Sequence, residues 1–154
     1  MQNQIKSQTR LAFIQFIFSS LFTNSSIEES TADFENYFYK LSVSSIEQKK
    51  EIPINFNKNY FKKLAKSYDE FVKYNNVEEI INSIIKFDRT FENWDQINKS
   101  IILCIFSEVE ITKKEKVKIL LNDYMNISKT LITKKDLSMI NAITDKYLSD
   151  RKIL

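Results

Sequence analysis

The sequence predicts an all-helical protein, and three observations carry that prediction. The 154 residues include no glycine and one proline, whereas tight hairpins and glycine-rich turns need residues that accept positive φ. Apolar residues recur at helical spacing in successive segments. Hydrophobic residues make up 43% and charged residues 28% of the chain, which favours a folded globular class over disorder. We therefore expect one helical domain with a substantial core.

The first element is predicted over Gln4–Phe22, an apolar run with Lys6 and Arg10 near its start. A buried helix, a strand and the apolar part of a secretory signal peptide are the alternatives. Gln15 and Ser19 interrupt the run, which is too short to span a bilayer, and no small-residue cleavage pattern follows it. A buried N-terminal helix is the expected structure.

The second and third helices are predicted on either side of a connecting segment. Ser26 and Glu29 have the spacing of a capping box, which indicates the start of the second helix. Pro53 disfavours helix at the preceding residue, so Ser44–Asn57 is interpreted as a connection and a candidate boundary between two halves. The apolar face of the third helix consists of Tyr60, Phe61, Leu64, Ala65, Tyr68, Phe71 and Val72.

The next two helices differ in how much of their surface is apolar. Asn76 is expected to cap the fourth helix, with Glu79 at its third position. The segment Trp94–Val109 is apolar around most of its circumference, so little of it can face water. We predict that it is the central core helix.

A helical hairpin over Val117–Leu148 closes the chain. Thr112 and Glu115 have capping-box spacing before its first helix, and Thr133 is expected to cap the second, with Asp136 three residues later. Its apolar stripes comprise Val117, Leu120, Leu121, Tyr124, Ile127 and Leu131, then Leu137, Ile140, Ile143, Tyr147 and Leu148. Four polar residues of the first helix are expected to point away from the core: Asn122, Asp123, Asn126 and Lys129.

The composition argues against an enzyme. Without histidine there is no imidazole base or histidine metal ligand, and without glycine there is no phosphate-binding glycine loop. Cys104 is expected to be a buried thiol and can form no internal disulfide, which suits a reducing compartment. Glu108 and Glu110 are assigned structural or solvent roles, and Asp123 and Asp145 lack further ligands nearby. We expect no catalytic residue, cofactor or metal.

A binding surface is the more plausible functional feature. The net charge is +3, and a charge run is usually a solvated face. Lys6 and Arg10 nevertheless share one face of the first helix, with Phe18 two turns beyond, for which a core position is the default alternative. Cations for phosphates beside an aromatic ring for base stacking suit single-stranded RNA. Further basic clusters comprise Lys113, Lys114, Lys116 and Lys118, then Lys134, Lys135, Lys146, Arg151 and Lys152.

Four segments together resemble the family of the bacterial transcription antitermination factor NusB. The run 6–18 resembles the family's opening helix, in which an arginine-rich start leads into A-x-Q-x-L-Y. The run 101–109 is similar to I-L-R-x-A-x-Y-E-L, 121–129 to I-N-E-x-V-x-x-A-K, and 139–146 to F-V-N-G-V-L-D-K. The segments follow the family order and span nearly the whole chain.

The resemblance implies about seven helices in two small packed bundles, at about residues 1–74 and 76–148. It also implies a cytoplasmic protein, with no membrane association, that pairs with the ribosomal protein NusE. Together they would bind boxA, a single-stranded element of nascent ribosomal RNA, within the antitermination complex of RNA polymerase. Carried over by position, the RNA-binding residues are Lys6, Arg10, Phe18, Lys135, Asp136 and Met139. The partner-binding residues are Glu92, Asn98 and Lys99.

The departures from the family pattern define the main alternative. Ser7 and Gln8 stand where arginines are common, Met139 replaces a phenylalanine, and Ala142 replaces a glycine. Fewer cationic contacts lower RNA affinity, so a protein-interaction module that has lost sequence-specific RNA binding is the second hypothesis. A similar helical domain is found fused to ribosomal RNA methyltransferases, so an enzymatic function is the third hypothesis. For the oligomeric state, monomer and homodimer are the two alternatives.

Overall fold

The computed structural model describes residues 3–21, 42–45, 50–53, 55–84 and 91–153. The all-helical class is confirmed, with one short β-hairpin as an addition. The predicted second helix, beginning at Ser26, lies outside the described residues. The described elements, in chain order, are α1 (Asn3–Ser20), β1 (Ser42–Ser45), β2 (Lys50–Pro53), α2 (Lys58–Tyr74), α3 (Val77–Ile84), α4 (Gln96–Val109), α5 (Val117–Ser128) and α6 (Lys134–Asp150).

Helix α4 is the centre of the fold, as its apolar circumference predicts. Every residue from Ile101 to Val109 is buried, and the helix packs against α1, α2, α5 and α6. Cys104 is fully buried within it, and burial raises the pKa of its thiol well above the usual value. The thiol is therefore an inert part of the core, as expected.

Helix α1 is the buried N-terminal helix that the sequence predicts. Phe13, Ile14 and Ile17 are fully buried, and α1 packs most extensively on α4, then on α2 and α5. The ring of Phe13 meets the rings of Phe61 and Tyr68 edge to face, at centroid distances of 6.3 and 6.4 Å. These apolar contacts attach the first helix to the rest of the molecule along its length.

The segment around Pro53 contains a two-stranded antiparallel hairpin, where only a connection is predicted. Ser42 pairs with Pro53, and Ser45 with Lys50. Proline has no N–H to donate, so it is tolerated at a strand end. Hairpin pairing is a backbone interaction between segments that lack helical periodicity, which is why the apolar pattern does not reveal it.

Side-chain caps fix several helix starts. Asn57, Asn76 and Thr133 each accept a hydrogen bond from the backbone N–H three residues later, at 2.9, 3.1 and 3.2 Å. The predictions for Asn76 and Thr133 are confirmed. The prediction for Thr112 is wrong: its hydroxyl donates to the carbonyl of Glu108 at 2.6 Å, because a short 3-10 turn intervenes before α5.

The end of α6 shows how a chain without glycine closes a helix. Lys152 adopts a φ of 57°, the left-handed position where glycine is usual. The N–H of Ile153 then reaches back to the carbonyl of Leu148 at 2.9 Å. A lysine accepts the strained position because this hydrogen bond satisfies an otherwise unpaired carbonyl.

The other helices pack around α4. Helices α1 and α2 contact each other and α4, α5 and α6 also contact α4, α1 contacts α5 as well, and α3 lies against α6. The division into bundles at about residues 1–74 and 76–148 stays a prediction. Within the described ranges, no helix is long and apolar enough to cross a membrane.

Candidate functional site

Arg10, expected at an RNA surface, is directed into the protein instead. Only 7% of the residue is exposed. Its Nε donates to Glu108 Oε2 at 2.9 Å, its Nη1 donates to Asp123 Oδ2 at 2.6 Å, and its Nη2 donates to the hydroxyl of Tyr60 at 3.2 Å. A phosphate could reach this guanidinium only if those bonds were broken.

Glu108 is the buried counterpart of Arg10. It is fully buried, and the hydroxyl of Tyr124 donates to its Oε1 at 3.2 Å. A carboxylate in this environment requires a cation, because an unpaired buried charge is strongly unfavourable. We call Arg10, Glu108, Asp123, Tyr60 and Tyr124 the buried polar cluster.

The cluster joins the start of α1 to the middle of α5. Asp123 accepts from the hydroxyl of Ser7 at 2.5 Å as well as from Arg10. The expectation that Asp123 points away from the core is therefore wrong. Gln8, which follows Ser7, accepts from the backbone N–H of Asn55 at 2.8 Å. Ser7 and Gln8, which stand where the resembling family commonly has arginines, therefore both make tertiary hydrogen bonds.

The cluster shifts the pKa values of its members. Burial lowers the pKa of Arg10, but Glu108 and Asp123 outweigh that effect, so the pKa of the guanidinium rises and it remains charged. Burial raises the pKa of Glu108, and Arg10 with the two hydroxyls offsets only part of the rise. Burial and the charge of Glu108 raise the pKa of Tyr60 to about 12, and that of Tyr124 well above its usual value.

Alkaline pH should destabilise the protein through these tyrosines. The Tyr60 hydroxyl binds its proton more tightly when folded, so its contribution is complete below about pH 10 and is lost as the pH rises through about 12. Urea unfolding over a pH series should show this decline, and Tyr60→Phe should reduce it. Tyr74→Phe alters an exposed side chain and should leave the decline unchanged; equal effects would contradict the assignment.

The buried polar cluster is also where three of the four resembling segments meet. Arg10 comes from the run 6–18, Glu108 from 101–109, and Asp123 from 121–129. The run 6–18 lies more than eighty residues before the other two. The polar residues of the three runs bond to one another directly, so the segments form one structural unit.

The other expected RNA residues of α1 lie nearer the surface. Lys6 is partly exposed, one turn before Arg10. Phe18 is 36% exposed, two turns beyond Arg10, in a helix whose neighbouring aromatic Phe16 is buried. Phe18 is therefore at the surface and not in the core.

The remaining expected RNA residues lie at the start of α6. Lys135 is exposed, and Asp136 is partly buried, with its N–H bonded to the cap residue Thr133. Met139 is partly buried and packs against the core. Helix α5 carries Asp123, ends five residues later, and leads through the turn at 129–133 into this region. The same hairpin thus receives Ser7 and Arg10 and presents Lys135.

The expected partner residues differ in their placement. Glu92 belongs to a 3-10 turn over Phe91–Asn93. The Lys99 ammonium lies 5.4 Å from the centroid of the Phe91 ring, and both residues line a groove of about 660 Å³. Asn98 is only 4% exposed, and its Oδ1 has no hydrogen-bond partner among the described residues. The structure brings Lys99 and the 3-10 turn together but directs Asn98 inward.

Sequence reasoning missed most of the buried polar cluster. Glu108 is the single carboxylate within the apolar run from Ile101 to Val109, a signal that predicts a buried cation partner. No sequence signal identifies that partner as Arg10, because helical spacing relates only residues close in the chain. Among the described residues, no group of three or more potential metal ligands lies together.

The fold and the cluster define a class: a small all-helical protein whose first helix is ion-paired to its closing hairpin. The chain is similar to the transcription antitermination protein NusB of Rickettsia felis, with 22% identity over 145 residues, 94% of this chain and 92% of the relative. The NusB protein of Rickettsia typhi is 23% identical over the same shares. No family model matches the chain. The two alignments, which run along nearly the whole of each chain, support membership of the NusB family.

Proposed function

We propose that this protein is a non-enzymatic, cytoplasmic transcription antitermination factor. It binds a boxA-type single strand of nascent ribosomal RNA together with NusE, as part of the antitermination complex of RNA polymerase. The observation that carries the proposal is the meeting of the runs 6–18, 101–109 and 121–129 in the buried polar cluster. These three segments therefore form one structural unit, and similarity of their separate sequences does not by itself require this.

The cluster has a positioning role in this proposal. Arg10 and Ser7 bind Asp123 on α5, and this bonding holds the start of α1 against the helix that leads to Lys135. Lys6 and Lys135 then supply phosphate contacts, which contribute most of the affinity for a nucleic acid. Phe18 and Met139 offer apolar surface to the bases, and Asp136 accepts hydrogen bonds from them.

The partner surface is proposed at the groove beside Lys99. Phe91, the first residue of the 3-10 turn that includes Glu92, lines this groove together with Lys99. Asn98 supports this surface from within, through its buried side chain. A charge-bearing groove with an aromatic wall suits a protein partner, since aromatic residues are enriched at such interfaces.

RNA binding with NusE tests the proposal. We expect the complex to prefer boxA RNA over a scrambled strand, and the preference to persist across a salt series. Lys6→Ala and Lys135→Ala should each reduce the salt slope of log K by about 0.7, the value for one phosphate contact on a single strand. Lys63→Ala, an exposed lysine on α2, is the matched control and should leave the slope unchanged. Equal affinity for both strands would exclude the proposed function.

The second candidate is a protein-interaction module without sequence-specific RNA binding. The observation that favours it is the burial of Arg10, which removes one expected phosphate contact. The same experiment separates the two candidates. The module would bind NusE, and Lys99→Glu would weaken that binding, but boxA and scrambled RNA would bind equally with or without NusE.

A further inference from the structure

The outer face of α5 carries a basic strip whose residues belong neither to the proposed RNA surface nor to the proposed NusE surface. Lys118, Asn122, Asn126 and Lys129 are all exposed, and their spacing puts them on one face of the helix. The opposite face buries Val117, Leu120, Leu121 and Tyr124. We call the four exposed residues the α5 strip.

The charge around the strip exceeds that of the whole chain. Residues 113–135 contain seven lysines and two carboxylates, a local excess of five positive charges against +3 for the full sequence. One of those carboxylates, Asp123, is already paired with Arg10. The other, Glu115, precedes α5, so no carboxylate lies on the strip itself.

The other lysine-bearing faces on α2 and α6 have a mixed charge. On α2, Asp69 and Glu70 accompany the lysines, and on α6 Lys146 pairs with Asp150 at 3.1 Å. Mixed signs are what a solvated face normally has. The α5 strip instead combines ammonium groups with side-chain amides, both of which donate hydrogen bonds to phosphate oxygens.

The geometry of the strip suits an extended polyanion. Lys118 and Lys129 are eleven residues apart, which is about 16 Å along the helix axis. Lys129 also donates to Asn126 Oδ1 at 3.3 Å, so the amide and the ammonium group are held side by side. The strip runs toward the turn at 129–133 and on to Lys134 and Lys135, where the proposed RNA surface begins.

We propose that the α5 strip binds the phosphate backbone of single-stranded RNA flanking the boxA element, without reading its bases. The choice of RNA as the ligand rests on the proposed function, whereas the α5 strip and its residues are not part of that function's RNA surface. An anionic membrane is the less suitable ligand, because interfacial helices bury a broad apolar face, whereas Ile119 is the one large apolar side chain exposed on α5 among the described residues.

The test compares two double variants of the full chain that lose the same charge. Lys118→Gln with Lys129→Gln removes the ammonium groups of the strip, and Lys63→Gln with Lys66→Gln removes two exposed lysines from α2. An oligouridine longer than the strip is the probe, titrated over a salt series. The strip variant should show a slope of log K against log salt smaller by about 1.4, from two phosphate contacts. The control should keep the original slope.

BoxA and scrambled RNA, each with and without flanking nucleotides, distinguish this proposal from the proposed function. A boxA preference combined with identical slopes for both variants overturns the strip and leaves the proposed function standing. A loss of slope in the strip variant without any boxA preference supports the strip and rejects the proposed function. Weakened binding of the strip variant to phosphatidylserine vesicles, with oligouridine binding unchanged, also overturns the strip.

Discussion

Replacing Glu108 with alanine is expected to lower the free energy of unfolding by about 3–5 kcal/mol, the cost of breaking a buried ion pair from one side. Arg10 would remain charged and almost fully buried without the carboxylate that its Nε and Nη2 contact. The hydroxyl of Tyr124 would also lose its acceptor. Urea unfolding of the purified chain measures the change.

Two further variants identify the cause of that loss. Glu110→Ala removes an exposed carboxylate that pairs with Arg151, and should cost at most about 1 kcal/mol, as surface pairs do. The double variant Arg10→Met with Glu108→Leu removes both charges, and should recover most of the stability, because apolar replacements of buried pairs are tolerated. If Glu108→Ala and Glu110→Ala cost the same, the buried pair is not what stabilises this junction.

Truncating Phe106 to alanine should cost about 3–5 kcal/mol, through lost burial and the cavity left behind. Phe106 is fully buried on the central helix. Its ring stacks on Tyr147 of α6 at a centroid distance of 3.8 Å and an interplanar angle of 11°, and meets Phe71 of α2 at 6.4 Å. One side chain thus connects α4 to helices on both sides of it, and unfolding by urea should report its loss.

The control for Phe106 is an apolar residue with little burial. Ile119 is 67% exposed on α5, and Ile119→Ala should change stability by no more than about 0.5 kcal/mol, as surface substitutions usually do. A comparable loss for both variants would mean that the α4 core is not the main source of stability. Phe106→Leu, which keeps much of the volume, should fall between the two.

Most of the helical architecture could be predicted because helix periodicity is local. An apolar stripe needs only residues three and four positions apart, and the stripes around Phe61, Ile101 and Val117 led to the observed helices within two or three residues. The caps at Asn76 and Thr133 are local for the same reason. The cap predicted at Thr112 is wrong and the hairpin at Ser42–Pro53 was not predicted, because side-chain periodicity does not reveal a competing backbone arrangement.

The candidate site could be predicted only in part. Lys135 and Phe18 are exposed, and their contact with RNA stays a prediction. The position of Arg10 differs from the expectation. Its charge suggests an exposed side chain, but Glu108 and Asp123, about a hundred residues away in the chain, bind it inside the protein. Burial depends on which distant residues a side chain meets, so it is set by packing and not by residue type.

The sequence by itself determined the helical class, the central position of Ile101–Val109 and the closing hairpin, since each depends on the spacing of apolar residues within a single segment. Only the tertiary structure decided that Arg10 is a buried partner of Glu108 and that Asp123 turns inward to meet Ser7. Pairing between distant charges requires the fold to bring them within a few ångströms, and Coulomb and hydrogen-bond energies act only at that range.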